Sequence, residues 1–412
     1  MKKKYFSILA AVAIAVSSIT YSVSADSSDI IGNDRSIKQK ICLEEYEDLL
    51  LSLYSEESKD VDYPDEYGGI YYDSESEMVT ICLTDLDSSD YYKGFFKKSN
   101  IEFKEVEYNL DELNETYEYI SDHMLQNNVT VSCVSEKTNT VEVAVQSDED
   151  KEKLISFVQN NGFDSDLISF RKNQAPIEQD FVEFSTSDEA TDNRNISTIN
   201  YAYSGSKLYC GYNNNSYYYF RGTIGVNAYD PNTNSYGTIT AGHVADSTCS
   251  SYCNSSYVSF NNNSNVTALF SGNCDAAFIP FNSNNTFVAS SSLHNGNITT
   301  CVYDTQPIVS PYMVGIDVVK YGATTGRKEG TITSLSTSVT YANNVVINDV
   351  IEYDMERAGG DSGAPMGIEY TNGNGLYFMG IHSGGSGTTC YATKLRNIEN
   401  NLGVVIITAI WH

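Results

Sequence analysis

The sequence predicts an acidic α/β part followed by an all-β part of barrel or sandwich type. Three observations carry this. Charge is uneven: residues 26–195 hold 14 Lys+Arg against 41 Asp+Glu, whereas residues 196–412 hold 8 against 13. Composition changes at the same border, from Glu, Asp, Leu and Lys to Asn, Ser, Gly, Thr and Tyr. The pattern changes too, from helical spacing to short alternating runs between Asn/Gly/Ser turns.

The chain opens "MKKKYFSILAAVAIAVSSITYSVSADSS". Lys2, Lys3 and Lys4 precede an apolar run too short to span a membrane, and Val-Ser-Ala at 23–25 is a small-residue cleavage site. Residues 1–25 are therefore expected to be a secretory signal peptide. "CLEEYEDLLLSLYS" predicts a helix over 42–55, "GIYYD" and "MVTICL" two short strands, and 110–126 a charged helix. "TVSCVSEKTNTVEVAV" then reads as two strands about a turn, and "SDEDKEKLISFVQNNG" as a helix capped by Ser147 with Gly162 beyond its end. This makes 26–175 an acidic α/β unit. Residues 176–197 are polar and aperiodic, and predict an exposed linker that a protease can reach.

From about 200 the strand candidates follow one another. The clearest are "YYYFRGTIGVNAY", "YGTITAG", "VTALFSG", "AAFIPF", "DVVKYGA", "EGTITSLSTSVTY", "VVINDVIEY" and "GLYFMGIHS". "ATKLRNIENNLG" predicts a short helix stopped by Gly403, and the apolar "VVIITAI" a final strand.

The acid excess argues against nucleic acid and gives no support for an anionic membrane surface. Cys42, Cys82 and Cys133 lie before the border, either as free thiols or with one pairing between molecules. Cys210, Cys249, Cys253, Cys274, Cys301 and Cys390 lie after it, enough for three disulfides with fifteen pairings open. The Cys249/Cys253 spacing lacks a second Cys pair or clustered His, so no metal is expected, and no cofactor.

"ERAGGDSGAPMG" sets Asp361 and Ser362 among small residues. Alone, Gly-Asp-Ser-Gly is most often a turn. The sharper reading holds Ser362 out as a nucleophile, with the amides of Gly360 and Ser362 aimed at a developing oxyanion. A serine nucleophile needs a base and an acid that orients the base. His243 in "TITAGHVADS" and Asp275 in "GNCDAAFIPF" each stand beside small residues at a strand end. Asp246 and Asp304 are the next candidates for the acid. No Gly-X-Ser-X-Gly elbow occurs, and an α/β-hydrolase would place His last, so an esterase of that fold is excluded.

His…Asp…Ser in this order is the order of chymotrypsin-like proteases. "TAGH", "DAAFI" and "GDSGAP" resemble the three catalytic boxes of that fold. "YGATTGRKEGTI" and "SGGSG", with Cys390 and the terminal helix and strand, resemble its bacterial streptogrisin and α-lytic protease group. The likeness covers about 198–412 and implies two six-stranded β-barrels with the site in their cleft. It implies His243, Asp275 and Ser362 as the catalytic triad, Gly360 and Ser362 as the oxyanion hole, and Ser383, Gly384 and Gly385 as the strand that pairs with substrate. His382 would enter the pocket for the side chain before the scissile bond, as in glutamyl endopeptidases. Glu356 would repel an acidic side chain there and Arg357 attract one. Val244 stands where many relatives have cysteine, "TTGRKEG" lacks another, and none precedes the serine loop, so the family's disulfides do not transfer. Ala364 replaces a usual glycine.

More weakly, "NTVEVAVQSDEDKEKLISFVQNNG" resembles the group's pro-region, which implies a folding aid and inhibitor. The expectation is thus a secreted serine endopeptidase made as a pro-enzyme, cleaving after Glu with Asp weaker. Maturation falls within 176–197, after Glu183 or Glu189. The partners are protein or peptide substrates and its own pro-region. The alternative is a catalytically silent protease-like binding or adhesion module.

Overall fold

The computed structural model describes residues 34–57, 60–179, 200–211, 218–245, 249, 251–253, 259–261, 265–282, 287–295, 298–303, 312–369 and 375–407. The expected signal peptide, most of the linker, Glu183, Glu189, Asp246 and Asp304 lie outside them.

The first part is α/β. Its leading helix runs Asp34–Leu53, eight residues earlier than its apolar spacing predicts. Tertiary partners recruit the polar turns: Arg35 pairs with Asp317 at 2.8 Å, and the Gln39 side chain accepts from the Asp317 amide at 3.2 Å. Strands Tyr67–Asp73 and Met78–Leu83 form the expected antiparallel pair, and Ile101–Glu105 joins the second in parallel. Helix Leu110–Asp122 starts from a reciprocal capping box between Asn109 and Glu112. Strands Val129–Ser135 and Thr140–Val145 and helix Asp148–Asn160, capped by Ser147, make the expected β-β-α unit. Leu49, Ile81, Leu113, Ile120, Val143, Leu154 and Val158 meet in one core.

The second part is nearly all β. Thr267–Ser271, Cys274–Pro280, Ser235–Thr240, Asn227–Asp230 and Val405–Ile406 form an antiparallel five-stranded sheet in that order. A larger sheet holds Asp317–Gly322, Gly326–Thr340, Val346–Asp354, Pro365–Glu369, Gly375–Ser386 and Thr389–Lys394. These pairings do not by themselves close two six-stranded barrels. The run "YYYFRGTIGVNAY" is two strands, Tyr218–Thr223 and Asn227–Asp230, because the amides of Ile224 and Gly225 turn to Ser206 and Ile239. Helix Leu395–Leu402 ends at Gly403 as expected. Phe287–Asn295 and Ile298–Tyr303 are strands the sequence pattern did not reveal.

The two parts share a sheet. Val129–Ser135 pairs antiparallel with Gly326–Thr340, Cys133 opposite Thr337 and Val131 opposite Val339. Tyr117 and Ser338 hydroxyls meet at 2.9 Å. Arg171 bonds Glu142 at 2.7 Å and Glu352 at 2.8 Å across the junction, and the Glu352 side chain is 4% exposed. Arg171→Met should therefore cost roughly 3 kcal/mol by leaving Glu352 buried and unpaired. Urea unfolding of the full chain checks this, and adding Glu352→Gln should recover most of the loss.

Two expectations are corrected. The linker does not begin at 176: Ile177 is buried and bonds Thr340 and Ala342, and Glu178–Gln179 is a strand. A two-residue strand has no period to read, and its partner lies some two hundred residues on. Among the described side chains there is one disulfide, Cys210–Cys249, rather than three. Cys42, Cys82 and Cys133 are free and buried, which leaves none placed to pair between molecules. Burial raises the Cys82 and Cys274 thiols to about 12, so they stay protonated.

Candidate active site

His243 follows strand Ser235–Thr240 in a single turn, Gly242–Val244. Asp275 is the second residue of Cys274–Pro280. Pairing of Thr240 with Ala277 brings the two ends together. Ser362 lies in the loop before Pro365–Glu369. The three side chains, far apart in sequence, meet in line. His243 Nδ1 is 2.8 Å from Asp275 Oδ2, and Nε2 is 2.9 Å from Ser362 Oγ. The His243 amide donates to Asp275 Oδ1 at 3.0 Å, fixing the carboxylate on its other oxygen. Asp275 and Ser362 are fully buried, and the imidazole is 2% exposed. A carboxylate accepts only, so Nδ1 carries the proton and Nε2 faces Ser362 with its lone pair.

Further groups hold the acid. The Ser383 hydroxyl donates to Asp275 Oδ2, and Tyr341 reaches Ser383 Oγ at 2.5 Å. The Asp275 amide donates to Thr393 Oγ1 at 3.2 Å. These bonds fix the carboxylate's position at the far end of the imidazole. Tyr341 closes a strand pattern and Thr393 lies in the run read as a helix, which the structure makes the end of strand Thr389–Lys394; neither carries a local sign of this role, and sequence reasoning missed them.

The glycines around Asp361 have a structural reason. Gly360 and Gly363 stand at φ +94° and +90°, a region that side chains avoid. A Cβ on Gly360 would meet the Phe220 ring at 2.5 Å. Asp361 points inward and is the loop's anchor. It accepts from Lys320 Nζ at 2.9 Å, from Thr325 Oγ1 at 2.7 Å and from the Thr324 and Thr325 amides at 3.1 Å. Lys320, fully buried, is the partner that the sequence left unnamed. Its signal was a lone lysine in the apolar run "DVVKYGA".

Burial raises the Asp361 carboxyl, but the Lys320 charge and these bonds outweigh it and hold it below the usual range. Its contribution to stability is thus full above the ordinary carboxylate pKa and lost as pH falls through the lower, folded value. Lys320→Met should destabilise the chain by roughly 3–5 kcal/mol. The penalty should be largest near neutral pH and shrink as pH falls through the carboxylate range, because protonation removes the buried Asp361 charge that Lys320 balances. Urea unfolding of both forms at several pH values reads this, and a penalty that does not change with pH would show that Lys320 does not hold Asp361.

His382 is buried beside this loop. Its amide donates to the Ala364 carbonyl and its carbonyl accepts from the Gly363 amide, both at 2.8 Å. Its Nδ1 lies 2.6 Å from the Tyr353 hydroxyl. Ser383, Gly384 and Gly385 continue the same strand, and Ser362 Oγ lies 3.1 Å from the Ser383 carbonyl. Gly384 and Gly385 pair with Gln179 and Glu178. The sequence-selected residues are therefore brought together, with a segment of the acidic part laid beside them. Glu356 is exposed and turned to Lys328 at 2.6 Å. The Arg357 side chain lies against Gly385.

No protein-family model and no curated protein matches the chain. Solved bacterial protease structures are similar over about half of it. Thermobifida fusca protease A is 22% identical with TM-score 0.39, covering 51% of this chain and 100% of its own. Cellulomonas bogoriensis chymotrypsin is 26% identical with TM-score 0.38 over the same shares. A glutamic acid specific serine protease, described as using a histidine triad in substrate binding, is 21% identical with TM-score 0.39. It covers 50% of this chain and 99% of its own. Scores of this size carry no weight for function, and the site's own geometry has to.

Proposed function

We propose that residues 198–412 are a serine endopeptidase domain of chymotrypsin-like fold, made as an exported precursor with 1–25 as signal peptide and 26–175 as pro-region. Maturation falls within 176–197, and the mature enzyme acts outside the cell. One observation carries the reading: a single imidazole joins a buried carboxylate at 2.8 Å to a serine hydroxyl at 2.9 Å.

In this mechanism Ser362 Oγ attacks the peptide carbonyl carbon as its proton passes to His243 Nε2. The Gly360 and Ser362 amides receive the developing oxyanion. Nε2 then protonates the leaving amine, the C–N bond breaks and an acyl-enzyme remains. Water, deprotonated by the same nitrogen, releases the acid and returns the proton to Ser362. Asp275 keeps the tautomer and stabilises the imidazolium. No metal or cofactor enters a step.

His382 gives the specificity, cleavage after Glu with Asp weaker. With Tyr353 donating to Nδ1, its Nε2 carries a proton that a substrate carboxylate accepts. The acidic part is the domain's partner. Its Glu178–Gln179 strand occupies the edge at Gly384 and Gly385 where substrate would pair, and so inhibits until it is cut.

The test is labelling with a fluorophosphonate probe. Processed wild-type protein should label and Ser362→Ala should not. Folded, processed wild-type protein that takes no label would leave a silent binding module instead.

A further inference from the structure

Tyr341 is fully buried in a cluster with Val131, Ala144, Ile177, Val339, Ile347 and Val350. A phenylalanine would fill that place without taking a hydroxyl out of water. Burying a hydroxyl costs free energy unless it makes a hydrogen bond. This one meets Ser383 Oγ at 2.5 Å. Which group donates follows from counting protons. The Ser383 hydroxyl has one proton and gives it to Asp275 Oδ2, which as a carboxylate oxygen only accepts. Ser383 Oγ therefore meets Tyr341 with a lone pair, and the Tyr341 proton points at it. The donors run in one direction, from Tyr341 to Ser383 to Asp275.

Bonds aligned in this way polarise and strengthen one another. A serine hydroxyl by itself turns to suit its surroundings. With a lone pair taken by Tyr341, its proton is left aimed at the carboxylate. The oxygen so held is Oδ2, which also accepts from His243 Nδ1 at 2.8 Å. The Tyr341 ring reaches the other end of that bond. It stands edge-on to Phe270, with centroids 5.1 Å apart and planes at 72°. Phe270 in turn lies against the His243 imidazole, with centroids 5.6 Å apart. The backbone beneath is fixed by a turn, in which the Tyr341 amide donates to the Val345 carbonyl at 2.8 Å and the Asn344 amide to the Tyr341 carbonyl at 2.9 Å.

We propose that Tyr341 is a positioning residue of the triad, acting through Ser383 on Asp275 and through Phe270 on His243. This rests on the endopeptidase reading above. The hydroxyl serves the chemical step rather than substrate binding, because its bond is to Ser383 Oγ. The loss of that hydroxyl should therefore appear in kcat and vanish once Ser383 has no hydroxyl to orient. The loss of the ring should add to it by a separate route.

The experiment uses the full chain in wild-type, Tyr341→Phe and Tyr341→Leu forms, each with and without Ser383→Ala. Circular dichroism melting of each precursor checks that it folds. Maturation is completed with a metalloprotease that is then removed by chelation. The end point of fluorophosphonate labelling counts active enzyme, and its rate reads the reactivity of Ser362. Peptide hydrolysis gives kcat and KM. Tyr341→Phe should reach the wild-type end point, with labelling rate and kcat each lower by about tenfold and KM unchanged. In the Ser383→Ala background the same change should cost less than about twofold. Tyr341→Leu should be slower than Tyr341→Phe by a further factor of roughly three to ten, with Ser383 or without it. A Phe form as fast as wild-type, a loss confined to KM, or an equal loss with and without Ser383 would each overturn the proposal. So would a Tyr341→Phe precursor that does not fold, since the hydroxyl would then serve stability. A Leu form no slower than Phe would overturn the action through Phe270. No label in wild-type would take down the endopeptidase reading, and this with it.

Discussion

Asp275→Asn should lower kcat on the order of 10⁴-fold while KM stays near wild-type. The reason is a proton on the wrong nitrogen. The carboxylate accepts from the His243 amide at 3.0 Å and from Nδ1 at 2.8 Å. It also accepts from the Ser383 hydroxyl, so it has no need of a donor of its own. An asparagine must aim its NH₂ at one of these partners. Aimed at Nδ1, it makes that nitrogen an acceptor and moves the imidazole proton to Nε2. Ser362, 2.9 Å away, then meets a donor and keeps its proton. Aimed at the amide or at Ser383, it sets donor against donor. His243→Ala and Ser362→Ala should each abolish peptidase activity, since each removes one end of the Nε2–Oγ pair at 2.9 Å. Steady-state hydrolysis of a peptide ester and a peptide amide, with enzyme counted by folded mass, checks all three. Near-normal turnover in Asp275→Asn would show that the acid is misassigned.

What could be read in the sequence and what could not divide by distance along the chain. The boxes around His243, Asp275 and Ser362 were legible because each is a short strand end beside small residues, and their order is informative. The β-β-α unit was legible because two strands, a cap and a helix repeat known local patterns. Lys320, Tyr341, Tyr353 and Thr393 were not, because their roles come from pairing with residues 41, 42, 29 and 118 positions away. Ser383 was read as part of the substrate strand, but its hydroxyl bond to Asp275 depends on strands that only the fold brings together. Glu356 and Arg357 could not be separated by sequence, since adjacent residues in an irregular loop can point either way. In the fold the first is bonded to Lys328 and the second has its stem beside Gly385. The Glu178–Gln179 strand was hidden inside a stretch whose composition says linker.

Residues 196–412 made without 26–195 should fail to reach an active state, and residues 26–195 added in trans should restore it. The shared sheet gives the physical cause. The strand Gly326–Thr340 hydrogen-bonds Val129–Ser135 along one edge, and Thr337 and Ser338 on it are fully buried. The Thr340 hydroxyl donates to the Val129 carbonyl at 2.9 Å and the Ser334 hydroxyl to the Val134 carbonyl at 3.1 Å. Met313 and Ile316 pack in the core of the acidic part rather than with their own neighbours. Without that part these groups face water while the strands around them search for distant partners. A mostly antiparallel fold of this kind has many non-local contacts and folds slowly. A preformed edge at Val129–Ser135 gives Gly326–Thr340 a template and lowers the entropy lost in pairing. The effect should therefore appear in the folding rate. Refolding from urea, followed by fluorophosphonate labelling against time, should give little label from 196–412 alone and a rising fraction as 26–195 is titrated in. Arg171→Met in the added part should weaken the rescue, because its ion pair with Glu352 crosses the same junction. Rapid and complete recovery of label from 196–412 alone would show that the acidic part only inhibits and does not guide folding.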